Sequence, residues 1–220
     1  MMQNISVAII DDHPLFRDGV ACSLSESGIF SVLGQGGSSE EALRIAKDTR
    51  PDILLLDLSM PGGGLQAIAA VRRLIPDQKI VVLTVSEAAD DVLMALREGV
   101  DGYILKGVGS KDLLDVLVGV AAGERYVSPL LSARVLVDLS TRVDRPPKDP
   151  MGQLTGRERQ VLNLVADGLS NKAIGRTLDL HEKTVKHHLS RVFFKLKVSN
   201  RTEAAMVLRD TDGSSDRPAH

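Results

Sequence analysis

Five short apolar runs recur along the first half of the chain: Ile5 to Ile10, Phe30 to Leu33, Ile53 to Leu56, Ile80 to Leu83 and Gly102 to Leu105. Each is followed by a segment with helical spacing. Runs of this length, rich in Val and Ile and apolar almost throughout, suit strands covered on both faces. Parallel strands need crossovers, and alternating helices supply them. The pattern therefore restricts residues 1–123 to an α/β doubly wound domain, a five-stranded parallel sheet with helices on both sides. The helices are expected from about Pro14, Ser38, Leu65, Ala88 and Ser110, with Ser38 and Glu41 spaced as a capping box.

Beyond Gly123 the pattern changes. A helical stretch over about Pro129 to Ser140 runs into RVDRPPKDPMGQ, whose three prolines deny regular structure, so residues 124–152 read as a helical linker. From Leu154 the spacing is wholly helical, opening on a second capping box at Thr155 and Glu158. Four segments follow, LTGRERQVLNLVADG, NKAIGRTL, EKTVKHHLSRVFFKL and TEAAMVL, which predict an all-α four-helix domain over 153–210. The polar residues 211–220 lack apolar anchors and are expected to form a disordered tail.

A chain of 220 residues with 43% apolar and 25% charged content can bury two cores. No apolar run reaches 18 residues, and the best candidate, Leu113 to Ala122, is interrupted by Asp115, so no membrane span is expected. The start MMQNISVAII lacks the features of a secretory signal, which points to the cytoplasm. The single cysteine, Cys22, excludes an internal disulfide and a cysteine-based zinc site, and is expected in the core. A net charge of −2 conceals an asymmetry. Residues 148–220 carry 13 Lys and Arg against 9 Asp and Glu, and residues 171–201 carry 8 against 2, a positive footprint suited to a phosphate backbone.

In an open parallel sheet, ligands bind beyond the carboxyl ends of the strands where strand order reverses. The first run ends in Asp11 and Asp12, the third in Asp57, the fourth in Thr84 and the fifth in Lys106. Crowded carboxylates repel one another, and a hard cation such as Mg²⁺ relieves them. A carboxylate can attack phosphorus, a metal and an ammonium can offset phosphoryl charge, and a hydroxyl can bond the product. Asp57, Lys106 and Thr84 suit those roles. A single aspartate at a βα loop is commonly only a helix cap, but five residues gathered at matching strand ends favour a site.

Glycines 34, 36 and 37 before Ser38 invite a phosphate-loop reading, yet Ser39 stands in place of the third glycine and no Gly-Lys-Ser/Thr follows. An ordinary turn is expected. His13, just before Pro14 at a helix start, reads as structural.

Through IIDDHPLFRDG, LLLDLSMPGGG, VVLTVS and DGYILKG, residues 5 to about 123 resemble the receiver domain of two-component response regulators. The resemblance implies that Asp57 is the phosphoacceptor and that Asp12, Asp57 and the carbonyl of Ser59 hold Mg²⁺, with Asp11 acting through a water. It further implies that Thr84 and Lys106 contact the phosphoryl group and that Tyr103 changes rotamer with phosphorylation state, although packing would equally explain Tyr103. The PGGG stretch is one residue shorter than relatives often have before the glycine opening the third helix. Ser59 and Ser86 flank the site.

In the second domain, NKAIGRTL, a connection through Asp179 and Leu180, and a longer helix have helix-turn-helix proportions. Val185, Leu189, Val192 and Leu196 fall on one apolar stripe, while Lys183, Lys186, His187 and Ser190 share another face. Basic faces without nucleic-acid roles are common, so charge alone leaves the choice open. The stretch from LTGRERQ to NRTEAA is similar throughout to the LuxR-type DNA-binding domain. That resemblance implies base or backbone contacts at Lys186, His187 and Ser190, and phosphate contacts at Lys183 and Arg191. Ser190 stands where relatives often have lysine. His187 and His188, about 100° apart on a helix, make a poor metal pair, and His188 is expected in the core. The last helix, capped through Asn200 and Glu203, is expected to expose Ala204, Ala205, Met206 and Leu208 for dimerisation.

Together the two resemblances identify a response regulator of the NarL/FixJ group. They imply a partner histidine kinase, inverted-repeat sites on double-stranded DNA and a homodimer on phosphorylation. Activation would either free the helical domain from packing or promote receiver dimerisation. An aspartate-dependent phosphatase would need Asp-x-Asp on one strand, and here Asp57 is followed by Leu58 and Ser59. A non-enzymatic role is therefore expected. A constitutive DNA-binding protein with a vestigial receiver is disfavoured by the complete acidic set.

Overall fold

The computed structural model describes residues 4–141 and 150–214. It divides into two compact units, Met1–Val143 and Asp144–His220.

The first unit is built on β1 (Ile5–Ile10), β2 (Phe30–Gly36), β3 (Ile53–Leu56), β4 (Lys79–Thr84), β5 (Gly102–Leu105) and β6 (Tyr126–Val127). All pairings are parallel, in the order β2-β1-β3-β4-β5-β6, so strand order reverses beside β1 and β3. Successive strand residues point to opposite faces. Val7, Ile9, Ile53, Leu55, Val81, Leu83 and Ile104 pack with residues of α1 (Pro14–Glu26) and α5 (Ser110–Ala121). The alternate residues Ala8, Ile10, Leu54, Leu56, Ile80, Val82 and Tyr103 are as deeply buried on the other face. That face carries α2 (Ser39–Thr49), α3 (Gly64–Leu74) and α4 (Ala89–Arg97). Each such side chain contributes about 1.5–3 kcal/mol when fully buried.

The first strand, β3 and β5 begin and end where the apolar runs predict, whereas β2 continues to Gly36. The expected end at Leu33 followed the apolar residues, but pairing of Ala8, Ile9 and Ile10 with Gly34, Gln35 and Gly36 carries the ladder on through polar sequence. The two-residue β6, which pairs with β5, has no run long enough to announce it. It leads into α6 (Pro129–Thr141), which packs against α4 within the same unit.

Two local expectations hold and one fails. Ser38 Oγ accepts from Glu41 N at the start of α2, and Glu41 Oε2 accepts from Gly37 N at 2.7 Å. An internal carboxylate thus occupies the turn, as an ordinary turn rather than a phosphate cradle would have it. The shortened PGGG loop closes through Gly62 and Gly63, both at positive φ. At Gly64 a Cβ would stand 2.4 Å from Leu58 Cα and 2.6 Å from Asp57 O. Cys22, expected in the core, is exposed, because Val20 and Leu24 occupy the buried face of α1. Its Sγ donates to Glu26 Oε1 at 3.2 Å.

The second unit comprises a 3-10 turn (Pro150–Gln153), α7 (Gly156–Ala166), α8 (Asn171–Leu178), α9 (Glu182–Leu196) and α10 (Arg201–Ser214). The Thr155 and Glu158 capping box forms in full at α7. α10 runs on through Ser214, past the expected start of a disordered tail at 211. It is docked by Arg209, whose guanidinium donates to Ala166 O at 3.2 Å. The rest of that tail, 215–220, lies outside the described residues. Among the described residues, no helix is long and apolar enough to cross a membrane.

Candidate functional sites

The sheet ladder continues one step beyond the strand ends and thereby fixes the rim. Asp11 N donates to Gly36 O, Asp57 N to Ile10 O and Lys106 N to Thr84 O, each within 2.9 Å. These bonds bring Asp11, Asp57, Thr84 and Lys106 to one edge, with Asp11, Asp57 and Thr84 buried. Lys106 Nζ lies 2.6 Å from Asp11 Oδ2 and 3.0 Å from Asp57 Oδ2, and 4.7 Å from the centroid of the Phe16 ring. Asp12 is half-buried and faces His13 Nδ1 at 2.8 Å. His13 N donates to Asp11 Oδ1 at 2.9 Å, consistent with a structural part for this residue.

Ligand atoms of Asp11, Asp12, His13 and Asp57 all lie within 4.8 Å of one another. Three carboxylates thus crowd together, two of them on the Lys106 ammonium. Asp57 Oδ1 is buried with no hydrogen-bond partner among the described residues. Orphaned buried oxygens are costly, and a hard divalent cation is the natural complement of this donor set. The nearby loop adds one more donor. The carbonyls of Leu58, Met60 and Pro61 accept from Gly64, Gly63 and Ser39, whereas Ser59 O accepts no backbone hydrogen bond among the described residues. Thr84 Oγ1 accepts from Ser86 N at 3.3 Å, and the Tyr103 ring is fully buried with its hydroxyl on Ser86 O at 3.0 Å.

In the helical unit, α8 and α9 meet across a tight turn at Asp179, which takes the left-handed conformation. Gly175 permits that approach, since a Cβ there would fall 2.6 Å from Leu180 O. Val185, Leu189, Val192 and Leu196 are buried as their spacing predicts. On the opposite face, Lys186 is exposed and pairs loosely with Glu182 at 3.6 Å, while His187 and Ser190 are half-buried. The side chain of Lys183 lies outside the described residues. His188 is half-buried, and burial first, then the neighbouring His187 and Arg191, holds its pKa below the usual 6.5.

Two expectations are overturned here. Arg191, expected as a phosphate contact, is buried and ion-pairs through Nε with Glu158 Oε1 at 3.1 Å. It is drawn inward because Glu158, fully buried at the third position of α7, needs compensation, which Lys195 completes at 2.8 Å. The proposed dimer face also divides. Ala204 and Leu208 are buried with Met151, Leu154, Leu162, Val192 and Leu196, because their i, i+4 spacing puts them on the docked face of α10. Ala205 is partly buried against the neighbouring cluster, and Met206 remains exposed. The Asn200 and Glu203 cap forms as expected, with Glu203 N on Asn200 Oδ1 at 3.0 Å.

Sequence reasoning finds Glu158 only as half of a capping box. Its second part is signalled by Arg191 and Lys195, four apart and beside the apolar stripe. Other basic residues close helix ends: Arg157 binds Leu178 O and Arg201 binds Leu169 O. The basic excess is therefore partly structural. Lys172 and Arg176 on α8, which sequence reasoning passes over, are exposed.

A receiver-type acidic rim at the switch point of a doubly wound sheet, followed by a helix-turn-helix unit, defines a response regulator. Residues 7–118 match the response regulator receiver domain, and residues 152–208 match the bacterial regulatory proteins of the luxR family. The nitrate/nitrite response regulator protein NarL of Escherichia coli strain K12 is 40% identical over 202 residues, 91% of this chain and 93% of NarL. RcsB of Salmonella enterica serovar Typhimurium, bound to promoter P1flhDC with the phosphomimetic BeF3-, aligns with a TM-score of 0.60. Identity is 27%, over 94% of this chain and 98% of RcsB. A structure of two RcsB dimers bound to two parallel DNAs aligns at 0.59 and 26% identity, over 94% and 98% of the chains. The chain belongs to the two-component response regulators of the NarL type, with a receiver and a LuxR-type DNA-binding domain.

Proposed function

We propose that a partner histidine kinase phosphorylates Asp57 and that this modification controls binding of α9 to inverted-repeat sites in double-stranded DNA. The observation that carries the reading is the rim itself: Asp57 is buried beside Lys106 Nζ at 3.0 Å with its other oxygen unpartnered. Asp12, Asp57 and the carbonyl of Ser59 would hold Mg²⁺, with Asp11 behind them, and the metal would offset charge on the phosphoryl oxygens. Lys106 stabilises the incoming oxygens, and Thr84 donates to the product. The role is regulatory and non-enzymatic, in the cytoplasm.

In the second domain, the exposed Lys186 with His187 and Ser190 forms the base-reading face, supported by Lys183 and by Lys172 and Arg176 on α8 as phosphate contacts. The active form is a homodimer, a reading supported by the RcsB dimers on DNA. Met206 is the exposed apolar residue of α10 available to it.

The test is binding to a set of two-fold inverted sites before and after Mg²⁺ and a small phosphodonor, with Asp57→Ala in parallel. Tighter binding that disappears in the variant is expected. Equal binding by both proteins in every condition would overturn the switch.

A further inference from the structure

The loop from Thr84 to Ala88 joins the rim to α4, and Ser86 organises it. Its N–H donates to Thr84 Oγ1 at 3.3 Å, and its carbonyl accepts from the Tyr103 hydroxyl at 3.0 Å. Its Oγ donates to Asp91 Oδ2 and accepts from Ala88 N at 3.4 Å. Asp91 is fully buried in the first turn of α4 and stands outside the acidic cluster of the rim. A carboxylate so buried must be hydrogen-bonded, and the N-terminal turn of a helix is where its charge is best tolerated.

The bonds of Ser86 have consequences at two side chains. A threonine hydroxyl has one proton and two lone pairs. With Ser86 N–H on a lone pair of Thr84, the hydroxyl proton is left to donate elsewhere. The buried Tyr103 hydroxyl needs an acceptor, and the carbonyl of Ser86 is one. One serine thus sets both groups, and Asp91 sets the serine.

We propose that Asp91, acting through Ser86, is a positioning residue for the phosphoryl site: it fixes the loop so that Thr84 presents its proton to a phosphoryl group on Asp57 while Tyr103 stays inward. The Thr84 half rests on the reading of Asp57 as phosphoacceptor; the Tyr103 half rests on geometry alone.

The chain has two tyrosines and no tryptophan, so in a Tyr126→Phe background the intrinsic emission reports Tyr103 alone. Full-length chains with that change and Ser86→Ala, Asp91→Ala or Asp91→Asn are compared in two measurements. Acrylamide quenching is read without any phosphodonor, and phosphoryl retention is read after loading with acetyl phosphate and Mg²⁺. Loss of a hydrogen bond to a charged group should raise the quenching constant roughly tenfold in Ser86→Ala and Asp91→Ala and shorten retention by a similar factor. Asp91→Asn, whose amide oxygen still accepts from Ser86, should stay near the parent in both. Ser86→Ala removes one hydroxyl, so the experiment still decides the matter where Asp91→Ala fails to fold. Equal quenching in the parent and Ser86→Ala would overturn the Tyr103 half, and unchanged retention the Thr84 half. A parent that takes up no phosphoryl group would overturn the phosphoacceptor reading and the Thr84 half with it, leaving quenching to decide Tyr103.

Discussion

Both domains bury carboxylates against basic groups, and they balance them in opposite senses. At the receiver rim, Asp11 and Asp57 share the ammonium of Lys106 with Asp12 close beside them, and one oxygen of Asp57 accepts nothing among the described residues. In the helical domain, one carboxylate, Glu158, meets two cations, Arg191 at Oε1 and Lys195 at Oε2. A deficit of positive charge leaves coordination open for a cation and for group transfer. A surplus closes the cluster into a strut between α7 and α9. Both clusters are buried, and each holds a carboxylate oxygen without a hydrogen-bond partner among the described residues, so the sign of the charge imbalance is what separates them.

The largest effect is expected at the strut. Glu158→Ala leaves Arg191 buried without its counter-charge and should cost about 3–5 kcal/mol in urea unfolding of the helical domain. Glu158→Leu with Arg191→Met should recover most of that loss and still bind DNA; a refolded double variant that cannot bind would return Arg191 to the DNA contacts. At the rim the expectation is a gain. Mg²⁺ at a hundredfold excess over its Kd should stabilise the protein by about 2.7 kcal/mol, read as a rise in Tm, and Asp57→Ala should remove most of the rise. Lys186→Ala should leave the urea midpoint unchanged, weaken DNA binding and lower the salt slope of the affinity by about one.

The smallest effect concerns His188. Its pKa is depressed in the folded domain, so the unfolded chain takes up the proton first as pH falls. Stability from this group is complete above pH 6.5 and declines as pH falls from there towards the folded pKa. His188→Gln should flatten that decline in unfolding curves recorded between neutral and mildly acidic pH.

The receiver is largely legible because its strands are continuous apolar runs and its chemistry sits where those runs stop. Asp11, Asp57, Thr84 and Lys106 can be placed at one rim from strand ends alone, and ladder bonds beyond each strand are why this works. Polar strand sequence is not legible: Gly34 to Gly36 and Tyr126–Val127 join the sheet through backbone pairing that no apolar pattern reports. In the helical domain, the stripe from Val185 to Leu196 reads correctly, yet Arg191 and Ala204 fall on the side opposite to expectation. A basic residue beside an apolar stripe can face solvent or a buried acid, and helical period does not distinguish the two. Alanine is as ambiguous, since its small size suits both an interface and a core.

The two-residue β6 carries a final consequence for self-association. An open sheet edge is a template on which another chain can add a strand. Here the outer side of β5 is already taken, and the strand that takes it is short and followed directly by Ser128 and Pro129, the latter opening α6. An incoming strand would find at most two residues to pair with before a proline that offers no donor. Strand addition on this flank, the usual route to runaway polymerisation of an α/β domain, is blunted by the chain itself, which leaves helical surfaces to carry any pairing of copies there.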